Sequence, residues 1–302
     1  MPLAQQRRGA PAGADERGRA RVLVVRFGVT SMTAPLRRVL VRRPATAGDW
    51  VGAGWRVPDP VALAGQHEAF CALLEQLGAE VEIAPALEGQ VDAVYMHDPL
   101  LMTARGGIPL RMRKPARAAE PGHAREELER LGVPVLGELP AGAYADGGDR
   151  FWLDDDTMAI GLGYRTNRAG AAAVAAIADE AVETYDLPHD QGPAHVLHLQ
   201  SLISAVTDEL CVVYEPLAPV RLLEDLRDRG WRRIAIDRAA YDAMGCNILA
   251  VRPGVVVMVD GVPAVRRALE REGVEVHVYD GSELSLKGDG GPTCLTAPLL
   301  RG

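Results

Sequence analysis

The sequence is short of most features that assign a chain at sight. No stretch reaches the ~18–20 consecutive apolar residues that a membrane span needs. Basic residues are not in excess: 33 Lys and Arg stand against 41 Asp and Glu, a net charge of -8. A nucleic-acid binder would show a basic face instead. Residues Met1 to Ala20 are rich in Arg, Ala and Gly and lack the apolar centre of a secretory leader, which predicts a disordered tail. Cysteine is scarce. The four thiols, Cys71, Cys211, Cys246 and Cys294, include no CxxC pair and no zinc-type Cys/His spacing. Gly161-Leu162-Gly163 is only a fragment of the GxGxxG turn, which excludes a nicotinamide-binding reading.

What remains is an ordinary globular composition, 48% hydrophobic and 25% charged over 302 residues, with material for a large core. Cys71, Cys211 and Cys246 fall in apolar runs and read as buried structural thiols. Unpaired thiols of this kind predict a reducing, cytoplasmic setting. Cys294 is different. It follows Lys287-Gly288-Asp289-Gly290-Gly291-Pro292, a run that cannot hold regular structure. Such a run lets a backbone approach a bound molecule and presents a thiol sharply. The competing reading is a small core residue at the end of a strand.

The organisation shows as repetition. Four stretches read as strand, tight turn, strand: Pro99 to Met112, Phe151 to Leu162, Leu202 to Tyr214 and Ile248 to Val259. Their centres recur at roughly 50 residues, and each is followed by a helical pattern: Pro115 to Leu131, Asn167 to Val182, Pro219 to Arg229 and Val262 to Glu272. An N-terminal unit fits the plan with strands at Arg21 to Phe27 and Leu36 to Arg42 and a helix at Pro60 to Leu77. Short strands such as Glu80 to Ile83 and Val274 to Tyr279 close units. Such a unit cannot bury its own sheet face, so five of them favour a closed ring or propeller over an open stack. A doubly wound parallel sheet would instead alternate single strands with helices. The expectation is one domain over residues 21–302.

Polar residues cluster where strands begin. His198 precedes the third hairpin, Asp146-Gly147-Gly148-Asp149 the second, and Asp92 to Asp98 the first. A thiolate can attack an electron-poor carbon, an imidazole can pass a proton, and carboxylates can hold a cation. Each residue also has a plain structural reading. Asp146 and Asp149 suit turns, Asp98 before Pro99 suits an Asx turn, and His198 suits a satisfied core position. His67 and His123 fall in predicted surface helices, His189 and His195 in a polar connection, and Arg117 and Arg165 are by default solvated.

The ordered set Asp146-Gly147-Gly148-Asp149, Gly161 to Asn167, His198-Leu199 and Gly291-Pro292-Thr293-Cys294-Leu295-Thr296 resembles the guanidino-group-modifying (pentein) superfamily of arginine deiminases, amidinotransferases and dimethylarginine dimethylaminohydrolases. The resemblance runs from about Arg21 to the C-terminus. It implies an α/β fold, a five-bladed α/β propeller with pseudo-fivefold hairpin-plus-helix units and a central active site. It implies Cys294 as nucleophile, His198 as proton carrier, and Asp146 as the acid that binds the guanidinium and orients the histidine. Asp92 and Asp98 match acidic substrate positions, and Arg117 and Arg165 match two arginines that take the substrate carboxylate. Forked arginines at one end and carboxylates at the other describe an arginine-like amino acid.

The chain departs from the family at two places. Gln200 stands where deiminases and amidinotransferases carry an acid two residues after the histidine, and His97 stands beside Asp98 where dimethylarginine hydrolases carry a second acid. Loss of the first acid makes room for an alkylated nitrogen. The implied reaction is hydrolysis of a methylated arginine to citrulline and an alkylamine. Arginine deimination or amidino transfer on the same thiol is the alternative, and a catalytically silent binding module on the same fold the second. No metal or organic cofactor is implied. The expected partner is a small guanidino molecule, with no nucleic acid and no membrane, and a homo-oligomer is compatible with the sequence.

Overall fold

The computed structural model of the protein describes residues 26–302. The tail expected over residues 1–20, and most of the strand expected over Arg21 to Phe27, lie outside the described residues. Phe27 itself is not in a strand; its neighbour Gly28 makes an isolated bridge to Leu300.

Among the described residues the strands form five small sheets. In the first, β1 (Leu36–Arg42) pairs in parallel with β2 (Glu80–Ala84) and antiparallel with the last strand of the chain, β14 (Ala297–Arg301). The second is the hairpin β3 (Leu100–Thr103) and β4 (Gly106–Pro109), extended by a single parallel bridge from Gly107 to Val135. The third holds β5 (Arg150–Trp152), β6 (Thr157–Leu162) and β7 (Ala181–Asp186). The fourth holds β8 (Ile203–Thr207), β9 (Leu210–Val213) and β10 (Arg232–Ala235), and the fifth β11 (Ile248–Arg252), β12 (Val255–Val259) and β13 (Glu275–Tyr279). In these three sheets an antiparallel hairpin is followed by a helix and a parallel third strand.

Two expectations change. The strand antiparallel to β1 comes from the C-terminus, at Ala297–Arg301, so the two ends of the described chain are stitched into one sheet. The helix expected over Asn167 to Val182 ends at Ala178, and Val182 belongs to β7. Asp179 adopts a left-handed conformation (φ 58°) and its N–H caps the carbonyl of Ala175, which stops the helix.

Local chemistry fixes the helices. Helix Pro60–Gln76 starts on Asp59, whose carboxylate accepts from the Val61 and Ala62 amides, with Pro60 at the first helical position. Its inner face is Leu63, His67, Phe70, Cys71 and Leu74, spaced three and four apart. His67 is therefore buried rather than on the surface, and burial pushes its pKa down to about 4, so it is a neutral packing residue. Helix Arg168–Ala178 starts on Asn167, which accepts from both the Gly170 and Tyr144 amides. Gly170 is required there, because a Cβ would lie 1.8 Å from the Tyr144 carbonyl oxygen. Helices Val220–Asp228 and Pro263–Arg271 bury Leu222 and Leu226, and Val265 and Leu269, on their sheets.

The hairpin strands β3, β4, β5, β9 and β12 are continuous runs of buried residues, whereas β7, β10 and β13 are mostly half-exposed edges. Cys71, Cys211 and Cys246 are buried thiols, as expected, with pKa values raised by burial. Among the described residues no helix is long and apolar enough to cross a membrane.

Candidate active site

Cys294 lies in the turn that leads into β14 and is half-buried, unlike the other three cysteines. Asn247, at the head of β11, holds it: the side-chain amide donates to Sγ at 3.1 Å, and its carbonyl accepts from the Thr293 amide at 3.1 Å. The glycines before Cys294 serve packing. A Cβ at Gly288 would fall 2.2 Å from Tyr95 Oη, one at Gly290 2.3 Å from the Tyr95 ring, and one at Gly291 2.6 Å from Asn247 Cγ. The expectation that they clear space for a bound molecule is thus replaced by close contact with Tyr95, Trp55 and Asn247. The thiol is pushed up to about 12, by burial first and then by the charge of Asp98, against the Asn247 hydrogen bond. The ligand-free thiol is protonated at neutral pH.

His198 opens a short helical turn, Leu199–Leu202, before β8. Its amide donates to Ser201 Oγ at 3.1 Å, and the next amide, Leu199, donates to Asp149 Oδ1 at 3.0 Å. Asp149 thus fixes the backbone that carries the imidazole. The ring sits over Gly148, where a Cβ would lie 2.4 Å from Nδ1; the neighbouring Gly147 packs on the His97 carbonyl. Both glycines permit close approach. Asp146 Oδ2 lies 3.1 Å from His198 Nε2, and Asp98 Oδ1 3.8 Å from Nδ1. Burial alone would lower the imidazole pKa, but Asp98, Asp149 and Asp146 outweigh it and raise it to about 9. His198 is an imidazolium at neutral pH.

The carboxylates are distinguished by their partners. Burial pushes Asp98 up, yet His198 and Arg117 overcome it and hold it at about 2. Asp149, fully buried, is raised to about 7, mainly by burial. Asp98 Oδ1, Asp146 Oδ1 and Asp149 Oδ2 are all buried without a hydrogen-bond partner. Orphaned carboxylate oxygens are costly, and three at one site call for donors.

The structure therefore brings together Cys294, His198, Asp146 and Asp98. It revises the roles of other expected residues. Arg117 is buried, not solvated, and its fork is spent on Glu120 (Nε at 2.9 and 3.0 Å, Nη2 at 2.7 Å) and on Asp98 (Nη1 at 2.6 Å). With these donors committed it anchors Asp98 rather than receiving a substrate carboxylate. Arg165 is also largely buried, with Nη1 3.7 Å from Asp146 Oδ2. Both oxygens of Asp92 are engaged, by Trp55 Nε1 at 2.8 Å and Lys114 Nζ at 2.5 Å. Gln200 turns away from the carboxylates. It donates to the Arg150 carbonyl and faces His97 Nε2 at 2.9 Å, while His97 Nδ1 faces the Thr296 carbonyl at 3.0 Å. The two departures from the family pattern are thus partners of each other.

Sequence reasoning missed Asn247, Lys114, Trp55 and Glu120. Asn247 carried the signal that found His198, a polar residue at the head of an apolar strand. Glu120 stands three residues after Arg117 at the start of a helix, the spacing of a same-face pair. Nothing local in the sequence marks Trp55.

A family model described as arginine deiminase matches residues 229–301, the segment carrying Asn247 and Cys294. The arginine deiminase of Rhodococcus erythropolis is 30% identical over 192 residues, 53% of this chain and 47% of that protein. The N(G),N(G)-dimethylarginine dimethylaminohydrolase of Pseudomonas aeruginosa is 26% identical over 240 residues, 79% of this chain and 89% of that protein. A solved structure of a mutant of the Pseudomonas aeruginosa enzyme complexed with citrulline superposes with a TM-score of 0.72, at 23% identity, covering 89% of this chain and 100% of that one. The chain is similar in sequence to arginine deiminases and to a dimethylarginine dimethylaminohydrolase, and it shares the fold of the latter. It spans about half the length of the curated arginine deiminases that it matches. An arginine deiminase-like segment thus lies on a fold shared with a protein of near-equal length.

Proposed function

We propose that the protein is a cysteine-dependent hydrolase of a guanidino amino acid, with an N-omega-methylated arginine as substrate and citrulline and an alkylamine as products. The observation that carries this reading is the set of three orphaned carboxylate oxygens beside a cationic histidine and a half-buried thiol. A planar guanidinium offers several N–H donors in one plane and matches such a set. Its positive charge offsets the Asp98 field that keeps the Cys294 thiol protonated, so substrate binding favours the thiolate.

The steps follow from the geometry. Cys294 gives its proton to solvent as the guanidinium binds, and Sγ then adds to the guanidinium carbon and forms a C–S bond. His198 delivers its proton to the alkylated nitrogen, the C–N bond breaks, and the amine leaves. The now neutral His198 takes a proton from water, the hydroxide adds to the same carbon, and the C–S bond breaks as the new hydroxyl proton passes to solvent, giving the ureido group and the thiolate. Asp146 holds the imidazole on Nε2, and Asp98 holds the guanidinium. The Asp92–Lys114 pair, with Lys114 a quarter exposed, supplies one charge of each sign for the amino-acid end, and Arg165 adds a second cation. Residues 26–302 act as one domain. In this reading the five sheets close as a five-bladed propeller, supported by the β14–β1 pairing and by the packing of β8 on β11 and β14 on β3.

Arginine deimination is the second reading, favoured by the family model over residues 229–301. Incubation with dimethylarginine and, separately, with arginine, followed by assay of citrulline and of the amine, separates the two. Citrulline with dimethylamine is the expected result. Turnover of arginine alone overturns the substrate assignment, and turnover of neither overturns the hydrolase reading.

A further inference from the structure

A cavity opens among the inner strands that no step above uses. Its walls come from β5, β8, β11 and β14, together with Thr293 and Thr296, which flank the Cys294-Leu295 pair. His97 lines it, whereas Asp98, one residue on, faces His198 and Arg117 instead. The cavity thus shares a wall with the catalytic loop but not its carboxylates.

Two arginines line this space, Arg150 and Arg301, and among the described residues no Asp or Glu does. Arg150 is 4% exposed, and its Nε and Nη1 have no hydrogen-bond partner. Arg301 is pinned by donation from Nη1 to the Ala34 carbonyl at 2.7 Å and from Nη2 to the Ala250 carbonyl at 2.9 Å, both neutral acceptors. His97 is neutral, its pKa pushed down to about 4 by burial and then by Arg150. Nothing among these groups supplies a negative charge. A buried guanidinium without a counter-charge is costly, and a cation with free donors in the wall of a cavity is an arrangement that an anion completes. Burial lowers Arg150 to about 10 and Arg301 to about 9, with Arg150 adding to the latter, so both still carry charge at neutral pH. The innermost space takes a particle of roughly water size, which excludes a phosphate ester or an amino acid.

We propose that this cavity is a binding site for one small inorganic anion of halide size, held by the free donors of Arg150 with Arg301 as the second cation. The anion is distinct from the substrate and sits behind the wall formed by His97 and Thr296. It offsets the charge of β5 and β14, the strands that follow Asp149 and Cys294.

The test uses thermal unfolding of the whole protein at constant ionic strength, with chloride or bromide replacing isethionate, an anion too large for the space. The expected result is a saturable rise in midpoint of about 2 °C or more in the halides. The Arg150→Met variant is expected to lose that rise while keeping the same midpoint, or a higher one, in isethionate. An equal halide response in wild type and variant overturns the site, as does no response in wild type. Crystals of the wild-type protein grown in bromide give an answer that does not depend on the variant folding. An anomalous peak at Arg150 Nε and Nη1 supports the site, and a cavity without one at saturating bromide refutes it. Neither readout involves turnover, so the result stands apart from the proposed activity.

Discussion

His97 and His198 are equally buried, yet their surroundings push them in opposite directions. His198 has Asp98, Asp146 and Asp149 around it and is raised to about 9, although burial works against the charge. His97 meets Gln200 and a backbone carbonyl, and burial, joined by the charge of Arg150 against that of Asp98, lowers it to about 4. Burial acts the same way on both rings. The sign of the neighbouring charge decides which one holds a proton at neutral pH. The molecule therefore keeps a negative region, which needs a cation, beside a positive one, which needs an anion. A histidine marks each.

The largest expected effect falls on the negative side. Cys294→Ser should lower turnover about 10³-fold or more with no loss of fold by circular dichroism, and undiminished turnover would refute the thiol step. Asp146→Asn should cost about 10²–10⁴-fold in kcat, because Nε2 loses its charged partner. The same variant should lower the His198 pKa, read from imidazole NMR shifts against pH. A kcat loss with the titration unmoved would make Asp146 merely structural.

The next effect concerns stability. Glu120→Gln leaves Arg117 short of one of its two carboxylate partners in a buried setting and should cost about 3–5 kcal/mol in urea unfolding. A loss below about 1 kcal/mol would show the pair to be dispensable.

The pH dependence sharpens the contrast. His198 binds its proton more tightly folded than unfolded. Its contribution to stability is fully present below about pH 6.5 and is lost as pH rises through 9. His97 does the opposite: its neutral form is the folded one, and stability falls as pH drops from 6.5 toward 4. Histidine NMR shifts at pH 7 should show one charged and one neutral ring; two rings titrating together near 6.5 would contradict the assignment. The smallest effect is that of Asn247, a positioning residue. Asn247→Ala should slow iodoacetamide labelling of Cys294 about tenfold by removing a hydrogen bond to the thiolate.

The fold was legible where burial is continuous. The four hairpins read clearly because their strands are apolar and their turns carry Gly, Pro and Asp. Strands β7 and β10 were missed, because Ala181–Asp186 and Arg232–Ala235 are partly solvated edges with no apolar run to reveal them. The pairing of β1 with β14 was also hidden, since no local pattern links Leu36 to Arg301. At the site, polar residues at the heads of apolar strands gave His198, Asp146 and Asp98. Arg117 was misread because its real partners, Glu120 and Asp98, are set by tertiary packing. The pairing of His97 with Gln200 was invisible for the same reason: two residues 103 positions apart meet only when the sheets do.

The central claim is that Cys294 forms a covalent bond to the guanidino carbon on the way to citrulline. Acid quenching of the protein during steady-state turnover of dimethylarginine, followed by intact and peptide mass spectrometry, tests it directly. The account predicts an adduct with the mass of the substrate less dimethylamine, carried on the peptide that contains Cys294. Turnover that proceeds with Cys294 unmodified at every quench time, and unchanged in Cys294→Ser, would contradict it.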